Sequence, residues 1–258
     1  MSPKVAIIIA NYNYENYIMK AINSAIGQTY AGELRIYVVD DGSSDASWQR
    51  ISQITEPQAK IDMQEAYYTG PIEYRQSKNI FAYRITNSGA STARNVAMWQ
   101  AMDWADIFGI LDSDDEYYPQ KVEKLVNKLQ EYEEVGVAYA DYKNVRSDFV
   151  KEELKESYDR NMLFHRCMVH SNSLIKKDAI QKCILHNLEI FDSRLHGPGS
   201  QEFIGCTEDY DLWIRLSKVC VMTHVPECLA IANIHGNNQS SKMTPEIFQR
   251  QAQILGGR

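Results

Sequence analysis

Asp106-Ile107-Phe108-Gly109-Ile110-Leu111-Asp112-Ser113-Asp114-Asp115 is the stretch on which the fold turns. Its apolar run reads as a buried strand. Such a strand cannot hold several carboxylates in its own core, because an unpaired buried charge is very costly. The acids therefore belong at the strand's carboxyl end, where open α/β sheets bind their ligands. Asp112 and Asp114, at alternate positions, can point oxygens at one hard divalent cation, and Mg²⁺ or Mn²⁺ can in turn hold a diphosphate. The competing reading is an acidic turn leading into a helix at Pro119.

Working outward, the first half alternates strand and helix signals. Strands are predicted over 5–10, 34–39, 81–86 and 107–111, with helices near 16–28, 46–54 and 92–104. This β-α repetition implies a mostly parallel, helix-covered sheet. Three of the strands end in polar loops, at 11–13, 40–45 and 112–115, which should face one crevice. The tyrosine-rich stretch 58–79, broken by Gly70-Pro71, reads as an insertion or mobile loop. Beyond Pro119 come a charged amphipathic helix to about 133 and a strand over 135–140. A charged hairpin and surface segment follows over 143–158. Next are a strand over 171–175, a helix over 208–218 and two short strands at 219–224 and 229–234. The stretch 245–254 has weak helical character.

The 258 residues can bury a substantial core, and 44% hydrophobic with 24% charged residues is an ordinary globular composition. A net charge of -7 argues against a general nucleic-acid binder, which would present a basic face. No apolar segment reaches the roughly 20 residues needed to span a bilayer, and the Met-Ser-Pro-Lys lead is too short for a signal peptide. The expectation is a soluble, cytoplasmic chain, with docking at the inner face of a membrane left open. Cys167, Cys183, Cys206, Cys220 and Cys228 are odd in number and form no Cys-x-x-Cys pair, which fits free thiols in a reducing compartment.

A series of motifs recurs in order along the chain. They are Val5-Ala6-Ile7-Ile8-Ile9-Ala10-Asn11-Tyr12-Asn13, Gln28-Thr29-Tyr30, Val38-Val39-Asp40-Asp41-Gly42-Ser43-Ser44-Asp45 and Asn87-Ser88-Gly89-Ala90-Ser91-Thr92-Ala93-Arg94-Asn95. After them come Leu111-Asp112-Ser113-Asp114-Asp115, Glu208-Asp209-Tyr210-Asp211-Leu212-Trp213 and His235-Gly236-Asn237-Asn238-Gln239-Ser240. Together, over about 4–241, the sequence resembles the inverting family 2 glycosyltransferases of GT-A fold. The resemblance implies a Rossmann-like, mostly parallel central sheet flanked by helices, with a smaller acceptor-side region. One domain over 1–258 is expected, with a nucleotide-sugar-binding half over about 1–115 and an acceptor and catalytic-base half over about 116–258.

The same resemblance implies a metal-dependent transfer from a nucleotide sugar, a UDP-sugar above others, to a glycan or lipid-linked hydroxyl. Tyr12 offers a face for the base, and the backbone at Ala10 and Asn11 offers hydrogen bonds to its edge, although the family commonly has Pro-Thr where this chain has Ala10-Asn11. The other reading of Tyr12 is a ring packed under the sheet. Asp41 is implied as the acid that accepts from the N3–H of uracil, with Asp40 structural and Asp45 or Ser44 capping the next helix. Asn87 shapes its loop, and Arg94 is expected to meet diphosphate or base oxygens, with a surface salt bridge as the alternative. Asp112 and Ser113 line the nucleotide sugar. Asp114 is the firmer ligand for Mn²⁺ or Mg²⁺, with Asp112 and His235 beside it, and Asp115 supports them or caps a helix.

Asp209 is implied as the general base and Glu208 as its orienting neighbour, against the alternative that both answer the dipole of the helix they open. His196 is a candidate acceptor contact. Three rivals share parts of this pattern: a haloacid-dehalogenase-type phosphohydrolase, a sugar nucleotidylyltransferase and an inactive nucleotide-sugar-binding relative. The first would place its Asp-x-Asp near the chain start, and the second would want a basic Gly-rich loop where Asn11-Tyr12-Asn13-Tyr14 stands.

Overall fold

The structure is a computed structural model that describes residues 2–195, 208–236 and 238. In chain order its elements are β1 (Val5–Asn11), α1 (Ile18–Ile26), β2 (Leu34–Asp40), α2 (Ser47–Gln53), β3 (Glu56–Glu65), β4 (Tyr68–Ser77), β5 (Ile80–Arg84) and α3 (Ala90–Ala101). Next come β6 (Ile107–Ile110), β7 (Glu116–Tyr117), α4 (Lys121–Gln130), β8 (Val135–Arg146), β9 (Phe149–Glu153) and α5 (Arg160–Leu163). Then follow β10 (Leu174–Lys176), α6 (Lys177–Gln181), α7 (Glu208–Leu216) and β11 (Val221–Asn233). The helix foreseen over 245–254 and the loop carrying His196 lie outside the described residues.

All eleven strands join one sheet in the order β3-β4-β5-β2-β1-β6-β10-β8-β11-β7, with β9 paired to β8. The middle, β5-β2-β1-β6, is parallel, as the β-α alternation requires. Elsewhere among the described residues, β8 and β11 are parallel, and the hairpins and the short return strand β10 pair antiparallel. The sheet is therefore mixed, with its parallel order concentrated where the polar loops emerge.

β1 is buried on both faces, which explains its unbroken apolar run. Ile7 and Ile9 pack with Ile18, Ile22 and Leu125 on one side, and Ala6 and Ile8 pack with Val96 and Ala97 of α3 on the other. α1 presents Ile18, Ala21, Ile22 and Ala25 to that core, the i, i+3, i+4, i+7 spacing of a one-faced helix. Asn11 pairs with Asp40 in register, and the Leu111 N–H donates to Ile8 O, so the ends of β1, β2 and β6 lie along one edge.

The segment read as an insertion or mobile loop is the β3–β4 hairpin. Its outer strand is exposed along nearly its whole length, so no alternation of apolar and polar residues marks it. Pro71 lies beyond the Glu73–Ser77 stretch that pairs with β5, where a missing N–H is tolerated. The two short strands expected after α7 are one strand, β11, whose bulges absorb Pro226 and Glu227.

Candidate active site

The loop after β1 and the loop after β2 are knitted together. The Asn11 amide donates to Asp40 Oδ2 at 2.9 Å and Ser43 Oγ at 3.2 Å, and Asn13 Oδ1 accepts from the Ser44 N–H at 2.8 Å. Asn11 thus turns its side chain inward and shapes the loop. Asp40 is fully buried and also accepts from the Ser43 N–H, the structural role expected of it. Asp45 Oδ1 accepts from the Ser47 N–H at 2.9 Å, the first N–H of α2, although the N-cap position itself is Ala46. Tyr12 stands out from this knot at 47% exposure, with Ala10 half-buried behind it. Its ring is uncovered and is not packed under the sheet.

Asp41 is almost wholly buried and organises the loop before α3. Its carboxylate accepts from the Ser88 N–H at 2.7 Å, the Gly89 N–H at 2.8 Å and the Asn87 amide at 3.2 Å. Three donors leave about one lone-pair direction of the roughly four that a carboxylate offers. Burial pushes Asp41 up to about 6, against the pull of the two backbone donors. Gly89, at φ 92°, turns the chain into the helix that carries Arg94.

After β6 each acid has a different set of partners. Asp112 Oδ1 accepts from Arg94 Nη2 at 2.8 Å and its Oδ2 from Ser171 Oγ at 2.6 Å. Burial would raise Asp112, but Arg94 foremost, with Ser171, holds it below the usual carboxylate range. Ser113 is buried beside it. Asp114 Oδ2 meets His235 Nε2 at 3.2 Å and the Asn238 amide at 3.0 Å, and His235 stacks on Tyr17 at 4.6 Å between centroids. Burial and the Asp112 charge push Asp114 up to about 6, with His235 pulling the other way. Asp115 is buried and accepts from the Asn172 amide at 2.8 Å and the Asn233 N–H at 3.1 Å, bracing the loop against β10 and β11. It supports the loop and caps no helix.

α7 opens with Glu208 and Asp209. Glu208 Oε1 accepts from Arg94 Nη1 at 2.6 Å. Asp209 is half-buried and accepts from the Tyr210 N–H at 2.7 Å. Burial drives Asp209 up, Glu208 adds to it and Arg94 offsets only part, so the carboxyl titrates at about 7. A group poised there can both hold and release a proton near neutrality. Asp211 pairs with Arg215 at 2.8 Å and Trp213 is fully buried, so both serve structure.

Both terminal nitrogens of Arg94 are engaged by carboxylates, where the sequence led us to expect diphosphate or base oxygens. Ser171 and Asn172 escaped the sequence reading because they were assigned to a strand. They form the loop that precedes β10. The only local signal was a polar Ser171-Asn172-Ser173 run interrupting an apolar stretch. For a divalent cation, Asp114 and His235 are the adjacent oxygen and nitrogen donors, while each Asp112 oxygen already has a partner. No three His, Cys, Asp or Glu side chains among the described residues form a ready-made cluster. The donor set fits a cation that takes its remaining ligands from a bound diphosphate and water.

The mixed sheet thus carries two acidic groups, one in the loop after β6 and one at the start of α7, joined through Arg94. The sequence model described as Glycosyl transferase family 2 matches residues 6–194. The chain belongs to the family 2 glycosyltransferases. It is 29% identical to an uncharacterized glycosyltransferase of Rickettsia typhi over 97% of this chain and 70% of the relative. It is 26% identical to the chondroitin synthase of Pasteurella multocida, covering 93% of this chain but 22% of that protein. Among solved structures, S. aureus TarS in complex with UDP-GlcNAc superposes with TM-score 0.68 at 19% identity, over 98% of this chain and 65% of that one. The mannosyltransferase PcManGT of Pyrobaculum calidifontis, in complex with GDP-Man and Mn²⁺, gives 0.58 at 14% identity, over 99% and 63%. These likenesses show the GT-A fold. The chain spans less than two thirds of both solved neighbours. No helix among the described residues is long and apolar enough to cross a membrane.

Proposed function

We propose that this chain transfers a sugar, with inversion, from a nucleoside diphosphate donor to a hydroxyl of a glycan or lipid-linked acceptor, with a UDP-sugar as the preferred donor. The observation that carries this reading is that Asp209, pushed up to about 7 at the start of α7, and the Asp114–His235 pair belong to two different acidic groups, which Arg94 links through Glu208 and Asp112. Tyr12 stacks on the base, backbone at Ala10 and Asn11 meets its edge, and the remaining lone pair of Asp41 accepts from the uracil N3–H. Asn87 keeps Asp41 in place, and Asp112 and Ser113 line the sugar and ribose side.

Asp209 takes the proton of the acceptor hydroxyl as that oxygen bonds to the anomeric carbon. The bond from that carbon to the diphosphate breaks on the opposite face, and its electron pair leaves with the nucleoside diphosphate. Glu208 holds the sugar or acceptor in line. Mn²⁺ or Mg²⁺ bound by Asp114 and His235 would supply Lewis-acid stabilisation of charge on the departing oxygen, and imidazole ligation suits Mn²⁺. The two solved neighbours, one with a uridine and one with a guanosine sugar donor, support a nucleotide sugar and leave the base to Asp41.

A donor screen tests this reading. UDP-GlcNAc, UDP-glucose, UDP-galactose, UDP-glucuronic acid and GDP-mannose are each added with and without Mn²⁺ while melting is followed. A uridine donor is expected to raise the melting temperature only with metal present, and the product anomer is expected to be opposite to that of the donor. Stabilisation by GDP-mannose alone would refute the role given to Asp41, and a retained anomer would refute the single displacement.

A further inference from the structure

Arg94 links the loop after β6 to the start of α7 in a way that a diphosphate clamp does not require. Its side chain is 11% exposed, and its two terminal nitrogens reach Asp112 on the donor side and Glu208 on the acceptor side at 2.8 and 2.6 Å. Its guanidinium also lies 5.4 Å from the Phe191 ring centroid. Burial alone would disfavour its charge, yet Asp112 and Glu208 outweigh that and keep it protonated.

The helix beneath Arg94 is fixed independently. Asn95 of α3 exchanges three hydrogen bonds with the backbone of Ile190 and Phe191, at 2.8–3.0 Å. Trp99 Nε1 donates to Leu188 O at 2.7 Å. From the other side Arg215 of α7 donates to Cys183 O and Ile190 O, both at 2.6 Å. α3 and α7 are thus braced on the same 183–191 segment, and Arg94 closes the brace at the crevice end. A forked guanidinium can hold two carboxylates at set positions, which a point-charge ammonium does less well.

We propose that Arg94 is a positioning residue, which ties the donor-side Asp112 to Glu208 and so fixes the neighbouring Asp209 where the acceptor hydroxyl is deprotonated. It rests on the reading of Asp209 as the base. Arg94 acts on the acceptor side of the reaction, and it does not hold the diphosphate. Among the described residues, the ionisable groups that act on Asp209 are Glu208 on its own helix, Arg94 of α3, Asp112 after β6 and Cys167 before β10. Losing the Arg94 cation leaves Glu208 and Asp112 to disfavour the ionised base.

The test compares wild type with Arg94→Gln, Arg94→Lys and Asp209→Asn. It measures the Kd of UDP with Mn²⁺ (GDP, should only that nucleotide bind), the kcat for transfer and the pH dependence of kcat. Arg94→Gln is expected to leave Kd within about threefold, a fraction of a kcal/mol. Its kcat should fall about 10²-fold, as misplacement of a reacting group does. Its acidic limb should move to higher pH. Arg94→Lys keeps the charge, so its limb should stay near that of wild type with kcat partly restored. Weaker nucleotide binding at unchanged kcat would make Arg94 a diphosphate clamp and overturn the proposal. So would a lower melting temperature with an unmoved limb. Transfer that survives in Asp209→Asn would instead sink the underlying assignment of the base. Should Arg94→Gln not fold, the Arg94→Gln, Glu208→Gln double variant replaces it, with Kd unchanged, kcat still low and the limb back toward wild type. A double variant with wild-type kcat would also refute the tie.

Discussion

The acidic loop after β6 and the acidic start of α7 are built from the same residue types at similar depth, yet they come out differently. In the first, Arg94 and Ser171 hold Asp112 ionised, while Asp114 next to it is pushed up to about 6. In the second, burial and Glu208 carry Asp209 to about 7 and Arg94 offsets only part of the rise. Burial raises every one of these carboxyls. What separates them is which donors each one faces, and that underlies the proposed division of labour: a low carboxylate that stays charged, a pair suited to a cation, and a proton acceptor near neutrality.

The largest effect that would break this contrast is on the pH dependence of transfer. As the proposed base, Asp209 has to be ionised to take a proton, and burial lifts its pKa above the ordinary carboxylate value. Activity should therefore be full above about pH 7 and decline as pH falls through that value. Two units lower the loss should be about 10²-fold, since each unit is a factor of about ten in the ionised fraction. A limb near pH 4 in the kcat profile would mean that the base has an ordinary environment, and the contrast with Asp112 would collapse.

A smaller effect sharpens the donor side. Tyr12 is an exposed ring that the proposed function places against the base, and stacking on an aromatic side chain is worth about 1–3 kcal/mol. Tyr12→Ala is expected to weaken UDP binding by about 5- to 150-fold and to leave the acidic limb in place. Calorimetry of UDP with Mn²⁺ reads the first and the rate profile reads the second. An unchanged Kd would remove Tyr12 from the site.

How much of this was legible in the sequence follows the burial of each element. β1, β2 and β6 are central strands buried on both faces, so their apolar runs and terminal acids stand out. The β3–β4 hairpin is not legible, because an edge strand with solvent on its outer side has no periodicity to betray it. Asp41, Asp112, Asp114 and Asp209 could be singled out from local pattern and resemblance. Their partners could not. Ser171 lies 59 residues from Asp112, and Glu208 lies 114 from Arg94, distances over which no spacing rule acts. The same holds for Asn172, in the loop before β10, and Asn233, at the end of β11, which both brace Asp115. Sequence marked the acids, and tertiary contacts assigned their work.

The division of labour is tested most directly by one paired titration, of UDP with Mn²⁺ into Asp114→Asn and Asp209→Asn, with transfer measured on the same samples. Asp209→Asn is expected to bind the nucleotide as wild type does and to lose transfer by about 10²- to 10⁴-fold, the range of a removed general base. Asp114→Asn is expected to lose the metal-dependent part of nucleotide binding. The opposite pattern, with metal-dependent binding lost in Asp209→Asn and kept in Asp114→Asn, would contradict the account.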